Sequence, residues 1–448
     1  HYVHPGSALD LSAYERGNST YFPDRVVPML PEALSNELCS LKPGVERACL
    51  AVWMWVNAEG RMTKHEFVRG LMKSKARLIY EQVQAAYEGR TDSTTEPLLD
   101  EVIKPLYGAF KTLLAAREKR GTLELDLPER KVIIAENGQV ADITARVRMD
   151  SHRLIEEFMI LANVAAAEAL EAKGMACMYR VHEVPSPAKL ESLRDFLKPL
   201  GFSVPQVKQV EPRLFSKVLE ESKDSPLSEL ISTVVLRSQQ QARYSPENEG
   251  HFGLALQRYA HFTSPIRRYA DLVVHRALVS AYDFGDGGIT KRELAEMEEI
   301  AEHISATERR SALAERDSID RYTALYRADR TGATFEGRVS GVTRFGLFIE
   351  LTETGADGIV PMRSLPDDRY DHDEVHHCLI GQRHGRVLRL GARCKVELVE
   401  ADVLSGSTTF KLLDIEEPEE NWPPTNKRTK KFIRGKKPTG AMNKQKRR

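Results

Sequence analysis

No methionine opens this chain of 448 residues, no CxxC pair occurs in it, and no apolar run in it approaches membrane length. A bilayer-spanning helix needs about 18 or more consecutive apolar residues. The most apolar stretch, Phe158 to Leu170, is shorter and alanine-rich, and it predicts a buried helix. The five cysteines, Cys39, Cys49, Cys177, Cys378 and Cys394, are odd in number and scattered. That excludes a disulfide framework and the usual zinc spacings, and a reducing cytoplasm is the expected setting. His376-His377-Cys378 has metal-ligating residue types, but adjacent residues rarely bind one ion together, so no metal is expected there. The opening His-Tyr-Val-His carries no signal peptide, and with methionine absent the expectation is that the true N-terminus is missing. No internal repeat is evident.

What is present is an ordinary globular composition, 41% hydrophobic and 29% charged, in a chain long enough for two or more domains. The formal charge of zero hides a segregation. From Lys427 to Arg448 there are 11 basic residues and no acidic one, while the remaining 54 basic residues face 65 acidic ones, a net of −11 for residues 1–426. Such a tail either attracts phosphates without reading sequence or merely keeps the terminus solvated. Beyond Glu416 the chain is proline-rich and then polybasic, and disorder is expected.

The first 60 residues read as loop-rich, with Pro5, Pro23, Pro28, Pro31 and Pro43 interrupting any helix. From Arg61 the pattern turns mixed and then mainly helical. His152–Lys173 carries an apolar stripe of Leu154, Ile155, Phe158, Leu161, Ala162 and Ala165 at helical spacing. Lys189–Lys198, Leu214–Ser222, Leu227–Arg243, 265–282 and 291–327 read as further helices. After Gly332 the period changes to two, with short strands at Ala333–Ser340, Leu347–Leu351, Ala356–Val360, Arg386–Leu388, Arg393–Asp402 and Ser407–Ile415. Five or so strands in so short a segment predict a small closed barrel of the OB type. Phe335, Phe345, Phe348 and Arg344 offer it stacking faces with a cation beside them, as base-tolerant strand binding requires. The competing reading puts two of these rings, Phe348 first, in the barrel interior.

The most informative segment is Gly250 to Leu278, around His261-Phe-Thr-Ser-Pro-Ile-Arg-Arg-Tyr-Ala-Asp271. Thr263 and Ser264 are capping residues, Pro265 suits a first helical position, and Arg267 and Arg268 would fall inside the first turn. Free N–H groups, a positive dipole end and two guanidinium groups on one spot would hold a phosphate. Asp271, four residues after Arg267, would pair with one arginine and leave the other for a ligand. A capped helix with a surface ion pair is the plainer alternative.

That block, GHFGLALQRYAHFTSPIRRYADLVVHRAL, resembles the signature of the RNB family of exoribonucleases, the RNase II and RNase R group, and within it the bacterial RNase R branch. GNSTYFPDRVVPMLPEALSNELCSLKP and HRLIEEFMILANVAAAEAL agree with it, in the family's order. FEGRVSGVTRFGLFIEL with DGIVPMRSL is similar to the S-one RNA-binding domain, although Pro361-Met362 stands where that domain often carries histidine. The resemblance implies an α+β chain: a largely helical RNB catalytic domain over residues 1–328, an OB-fold barrel over 329–416 and a disordered basic tail over 417–448. A tail placed after an RNA-binding barrel favours the binding role.

The resemblance also implies site residues. Tyr21 matches the tyrosine that packs against the base at the 3′ end, and a ring held by nearby Pro23 is a rigid wall for stacking. The family's opposing aromatic falls near Gly121–Leu125, where this chain has leucine. Arg267 matches the arginine at the scissile-end phosphate, Arg268 serves either the helix or the strand path, and Glu315 matches a glutamate that handles the terminal nucleotide. Arg180, His182, Arg237 and Gln241 match family stretches as channel lining at most.

Family enzymes hydrolyse RNA with magnesium held by clustered aspartates in a pattern like D-x-x-x-x-x-D-x-D-D, because hard cations need closely spaced carboxylates. No such cluster occurs in this sequence; Asp150, Asp357, Asp367-Asp368 and Asp371-His-Asp373 do not fit. The expectation is a fragment cut just after its catalytic loop, with the Mg2+ ligands and the cold-shock-type domains upstream of residue 1. It would belong to a processive 3′→5′ exoribonuclease of RNA decay, releasing nucleoside 5′-monophosphates, and be inactive or nearly so alone. Single-stranded RNA is the expected partner of a monomer without membrane contact, with ribosomes or RNA-decay proteins as further candidates. A non-catalytic RNA-binding protein that keeps the RNB shell is the alternative.

Overall fold

The computed structural model describes residues 2–416 apart from residues 126–129, 146, 226, 367 and 375. The basic tail and Asp367 therefore lie outside the described residues. The chain divides into two compact units, one from residues 1–190 and 204–322, the other from residues 191–203 and those from 323 onward.

The first unit opens with helix α1 (Ala8–Arg16), whose start Ser7 caps by accepting the N–H of Asp10. A two-residue hairpin follows, β1 (Thr20–Tyr21) against β2 (Val26–Val27), and then a long antiparallel hairpin of β3 (Glu46–Val56) and β4 (Met62–Lys73). The opening is thus less loop-rich than its prolines predict. Pro5, Pro23, Pro28, Pro31 and Pro43 all fall outside α1 and β3, so they separate elements rather than prevent them. Next come α2 (Tyr80–Tyr87), α3 (Lys104–Arg120), the hairpin β5 (Arg130–Ile134) and β6 (Val140–Ala145), α4 (Asp150–Ala172) and β7 (Tyr179–Val181). Helix α5 (Pro187–Leu197) belongs to the second unit from Glu191 on, and α6 (Arg213–Ser222) and α7 (Ser228–Ser238) of the first unit lead to β8 (Arg243–Ser245). The helix read as Leu227–Arg243 stops at Ser238, because Arg243–Ser245 pair with β7 instead. After α8 (Tyr269–Ala281), the helix read as 291–327 is two: α9 (Lys291–Ala295) and α10 (Met297–Arg327).

The core of this unit explains what holds the site. The alanine face of α4 (Ala162, Ala165, Ala166, Ala169) packs with Ala270, Val273, Val274, Ala277 and Leu278 of α8 and with Met297, Ile300, Ala301 and Ile304 of α10. Small side chains let helices approach closely, and each fully buried Val or Leu contributes about 1.5–3 kcal/mol. Both Val273 and Val274 are sequestered, so α8 is surrounded rather than lying on the surface. On α4, Leu154 joins a neighbouring cluster with Tyr107 and Phe110, but Ile155, expected on the buried stripe, is 39% exposed.

The second unit is a closed five-stranded barrel in the order β10-β11-β16-β15-β9, built from β9 (Thr334–Thr343), β10 (Gly346–Leu351), β11 (Asp357–Pro361), β15 (Arg393–Asp402) and β16 (Ser407–Ile415). A separate three-stranded sheet of β12 (Tyr370–Asp373), β13 (Cys378–Gly381) and β14 (Val387–Arg389) is inserted between β11 and β15. The strand read at Arg386–Leu388 belongs to that sheet and not to the barrel. His376 of the inserted sheet pairs with Asp373 at 2.8 Å, and Cys378 is buried.

Candidate functional site

The segment before α8 departs from the capped-helix expectation. Arg268 is extended (φ −138°, ψ 125°) and α8 begins at Tyr269, so Pro265 and Arg267 lie in a separate turn ahead of the helix. The reason is backbone pairing across the unit. Ser19 donates its N–H to the carbonyl of Arg267 at 3.0 Å, and Tyr269 donates to the carbonyl of Gly17 at 2.9 Å. This strand-like bridge draws Arg268 out of helical geometry. Gly17 is fitted to its place: it sits at φ 71°, and a Cβ there would lie 1.9 Å from Oγ1 of Thr307 on α10.

Of the two arginines, Arg268 is the one that pairs with Asp271. Fully buried Asp271 accepts from Nε of Arg268 at 2.7 Å, from its Nη2 at 2.9 Å and from the backbone N–H of Ser264 at 2.6 Å. Extended backbone at 268 turns its side chain back onto the helix, while 267 stays outside. Burial alone would loosen the proton of Arg268, but the Asp271 carboxylate offsets this and raises its pKa. Arg267 is exposed and its guanidinium makes no ion pair among the described residues. It lines, with Tyr21, Arg69, Pro265 and His275, an open cavity of about 1270 Å³.

Three side chains pin this loop, Asn163 and Asp271 buried and His275 half-buried, and the sequence reading missed two of them. Asn163 of LIEEFMILAN accepts the N–H of Phe262 at 2.8 Å and donates to the Tyr259 hydroxyl at 3.1 Å. His275 bonds the carbonyl of Phe262 at 2.8 Å, and Asp271 is the third. A polar residue in an alanine-rich helix was the one available signal for Asn163. Behind the loop, Arg180 makes a bidentate pair with Glu308 and lies 4.7 Å over the Tyr244 ring, whose hydroxyl reaches His261 at 2.9 Å. Burial, with Arg268 and Arg180 nearby, pushes the His261 pKa well below its usual value. His182, expected as channel lining, is buried; its ring accepts from Gly253 and contacts the carbonyl of Gln240.

One face of α10 carries the strand opposite Arg267. Ser311 meets the hydroxyl of Thr20 at 2.9 Å, and Glu315 accepts the backbone N–H of Tyr21 at 2.6 Å. The Tyr21 ring itself is 45% exposed. Tyr21, Arg267 and Glu315 are thus brought together within the first unit, whereas Arg268 faces inward onto Asp271.

On the barrel, Phe345 is 63% exposed with the Arg344 guanidinium 4.8 Å over its ring. Phe348, offered as a stacking face with the barrel interior as the competing reading, points outward and is 39% exposed. Leu347, Ile349 and Leu351 fill the interior, and Phe348 lies across Gly341 of β9. Phe335 is half-buried, with Arg327 5.9 Å over its ring.

Among the described residues no three of His, Cys, Asp and Glu converge as a metal-holding group. Asp10 and Glu293 are already committed to buried Arg276, and Asp271 to Arg268. These described carboxylates do not fit a divalent cation.

Among the described residues, the first unit thus presents one arginine without an ion pair beside a tethered tyrosine, and the second is an OB-type barrel. The chain belongs to the RNB family: the RNB domain matches residues 1–283, and the S1 RNA binding domain matches residues 328–406. Across 448 aligned residues the chain is 40% identical to Ribonuclease R of Escherichia coli strain K12, covering 98% of this chain and 55% of that protein. In structure it is similar to the apo form of Mycoplasma genitalium RNase R, with a TM-score of 0.87 and 32% identity over 92% of this chain and 65% of that one. The same enzyme in complex with ribose methylated single-stranded RNA gives a TM-score of 0.87 at 31% identity, with the same coverage. The chain spans about half the length of the curated relatives it matches.

Proposed function

We propose that this chain is the RNA-holding part of a 3′→5′ exoribonuclease of the RNase R type, acting on single-stranded RNA in RNA decay. Arg267 grips a backbone phosphate near the 3′ end, since an exposed guanidinium with no ion pair among the described residues is free to form charge-assisted bonds to phosphate oxygens. Tyr21 offers its ring to the terminal base, and Glu315 fixes that ring by holding the Tyr21 N–H. Arg344, Phe345 and Phe348 stack on bases upstream. Phosphate and stacking contacts make the grip tolerant of sequence.

The observation that carries this reading is the division of labour in the Arg267-Arg268 pair, one outward on a cavity shared with Tyr21 and one neutralised by Asp271. Hydrolysis in this family is taken to need Mg2+, but the described residues supply no ligand set for it, so no chemical step is assigned to them. The 448-residue chain is therefore expected to bind single-stranded RNA without shortening it. The test incubates the chain with 5′-labelled oligouridylate and Mg2+. Retention of label without shortening is the expected result. Release of nucleoside 5′-monophosphates, abolished by EDTA, would refute the inactivity, and failure to bind would refute the RNA-holding role.

A further inference from the structure

The outer face of the barrel is graded in charge. Along β10 and β11 alternation turns Phe348, Glu350, Asp357, Ile359 and Pro361 away from the interior. Register sets them in rows across the face: Glu350 opposite Asp357 at one end, Phe348 opposite Ile359 in the middle, and Gly346 opposite Pro361 at the other end. That last end is built by two turns locked against each other. Residues 343–346 join β9 to β10, and the turn Met362–Ser364 follows β11. The Met362 N–H donates to the Phe345 carbonyl at 2.8 Å, and a Cβ on Gly346 would lie 2.1 Å from the Val360 carbonyl oxygen. Gly346, at φ 146°, is what permits that approach. Beyond Arg363 the chain turns inward: Leu365 is buried, and the Ser364 hydroxyl donates back to the Pro361 carbonyl at 2.9 Å. Arg363 is left as the exposed corner of its turn, and its guanidinium makes no hydrogen bond or ion pair among the described residues. It follows directly on Met362, the residue bonded to Phe345, whose ring carries the Arg344 guanidinium at 4.8 Å.

We propose that Arg363 is a backbone-phosphate contact of the barrel, working beside Arg344 and Phe345 when single-stranded RNA lies on this face. The inference deepens the RNA-holding reading and rests on it. A base stacked on Phe345 leaves its phosphates beside the ring, where a guanidinium with unspent donors forms charge-assisted bonds to their oxygens. Arg344 is engaged with the ring itself, whereas Arg363 is engaged with nothing among the described residues. The far end of the face supports the same placement. Glu350 and Asp357 repel phosphates and confine them to the arginine end. A face that is cationic at one end, aromatic beside it and anionic at the other fits a polyanion carrying stackable bases, and so favours RNA over a folded protein of mixed charge.

The experiment measures the salt dependence of oligouridylate binding by the 448-residue chain and three surface variants. Arg363→Gln should weaken binding and make the slope of log affinity against log salt shallower by about 0.7, the share of one phosphate on a single strand. Its deficit relative to the unaltered chain should therefore shrink about 2.6-fold between about 50 and about 200 mM salt. Arg363→Lys should keep the slope, because an ammonium still neutralises a phosphate. Arg383→Gln, in the exposed turn between β13 and β14, should change neither slope nor affinity. An unchanged slope in Arg363→Gln would overturn the proposal. So would a slope in Arg363→Lys as shallow as that of Arg363→Gln, or an equal change in Arg383→Gln, which would show diffuse charge rather than a contact. Failure of the unaltered chain to bind would refute the RNA-holding reading and the contact with it, whereas the other contrary results refute the contact alone.

Discussion

Arg267 and Arg268 are chemically identical neighbours with opposite duties, and backbone conformation alone separates them. The bridge between 17–19 and 267–269 sets Arg268 extended, which turns its side chain onto Asp271 and leaves Arg267 facing solvent. Asp271 is the keystone because it is fully buried and holds both the Arg268 guanidinium and the Ser264 N–H. Removing one member of such a pair leaves an uncompensated buried charge. Asp271→Ala is therefore expected to destabilise the fold by about 3–5 kcal/mol in urea titration, whereas Arg267→Ala should leave stability within about 0.5 kcal/mol. The sequence left open which of the two arginines pairs with Asp271. It could not do otherwise, since the deciding contact comes from Gly17–Ser19, remote along the chain.

At the scale of elements, local pattern was legible where neighbours in sequence decide the outcome. The stretches Arg393–Asp402 and Ser407–Ile415 are strands over the very limits that alternation predicts, and α4 follows its apolar stripe. The same alternation, Leu347, Ile349 and Leu351 inside, places Phe348 outside, against the competing reading that put its ring in the interior. Ile349→Ala should accordingly cost about 2–5 kcal/mol of barrel stability, as large-to-small changes in a core do. Phe348→Ala should cost under about 1 kcal/mol yet weaken RNA binding. Chemical denaturation beside an RNA titration checks both. Other elements were hidden for physical reasons. The β3–β4 hairpin is apolar on both faces at Trp53 and Trp55, so no clean period marks it, and β7 with β8 exists only through long-range pairing. Of the candidate site residues, Tyr21, Arg267 and Glu315 were named from motifs, and the fold brings them near one another. Asn163 and His275, which pin the loop from helices, were not, because buried polar residues carry no sequence mark of their partners.

For the molecule as a whole, the site loop is flanked by one buried and three half-buried histidines, and this predicts its response to acid. Burial lowers the pKa of His182, His261 and His275, and burial with His182 and Arg180 nearby takes His251 down to about 3. Histidine in the unfolded chain titrates near 6.5, so below that pH the unfolded chain binds protons that the fold refuses. The stability these groups provide is complete above about pH 6.5 and is lost as pH falls from there toward their folded values. The melting temperature is expected to drop by several degrees between pH 7.5 and pH 5, a window above the range in which most carboxylates titrate. A flat profile across that window would mean that the loop does not depend on these neutral rings.

The central claim is that one guanidinium of the pair meets the RNA backbone, and the salt dependence of binding tests it most directly. Each phosphate neutralised on a single strand contributes about 0.7 to the slope of log affinity against log salt. Measured with oligouridylate on the 448-residue chain, Arg267→Gln is expected to weaken binding and lower that slope by about 0.7 relative to the unaltered protein. An unchanged slope and affinity in the folded variant would contradict the account.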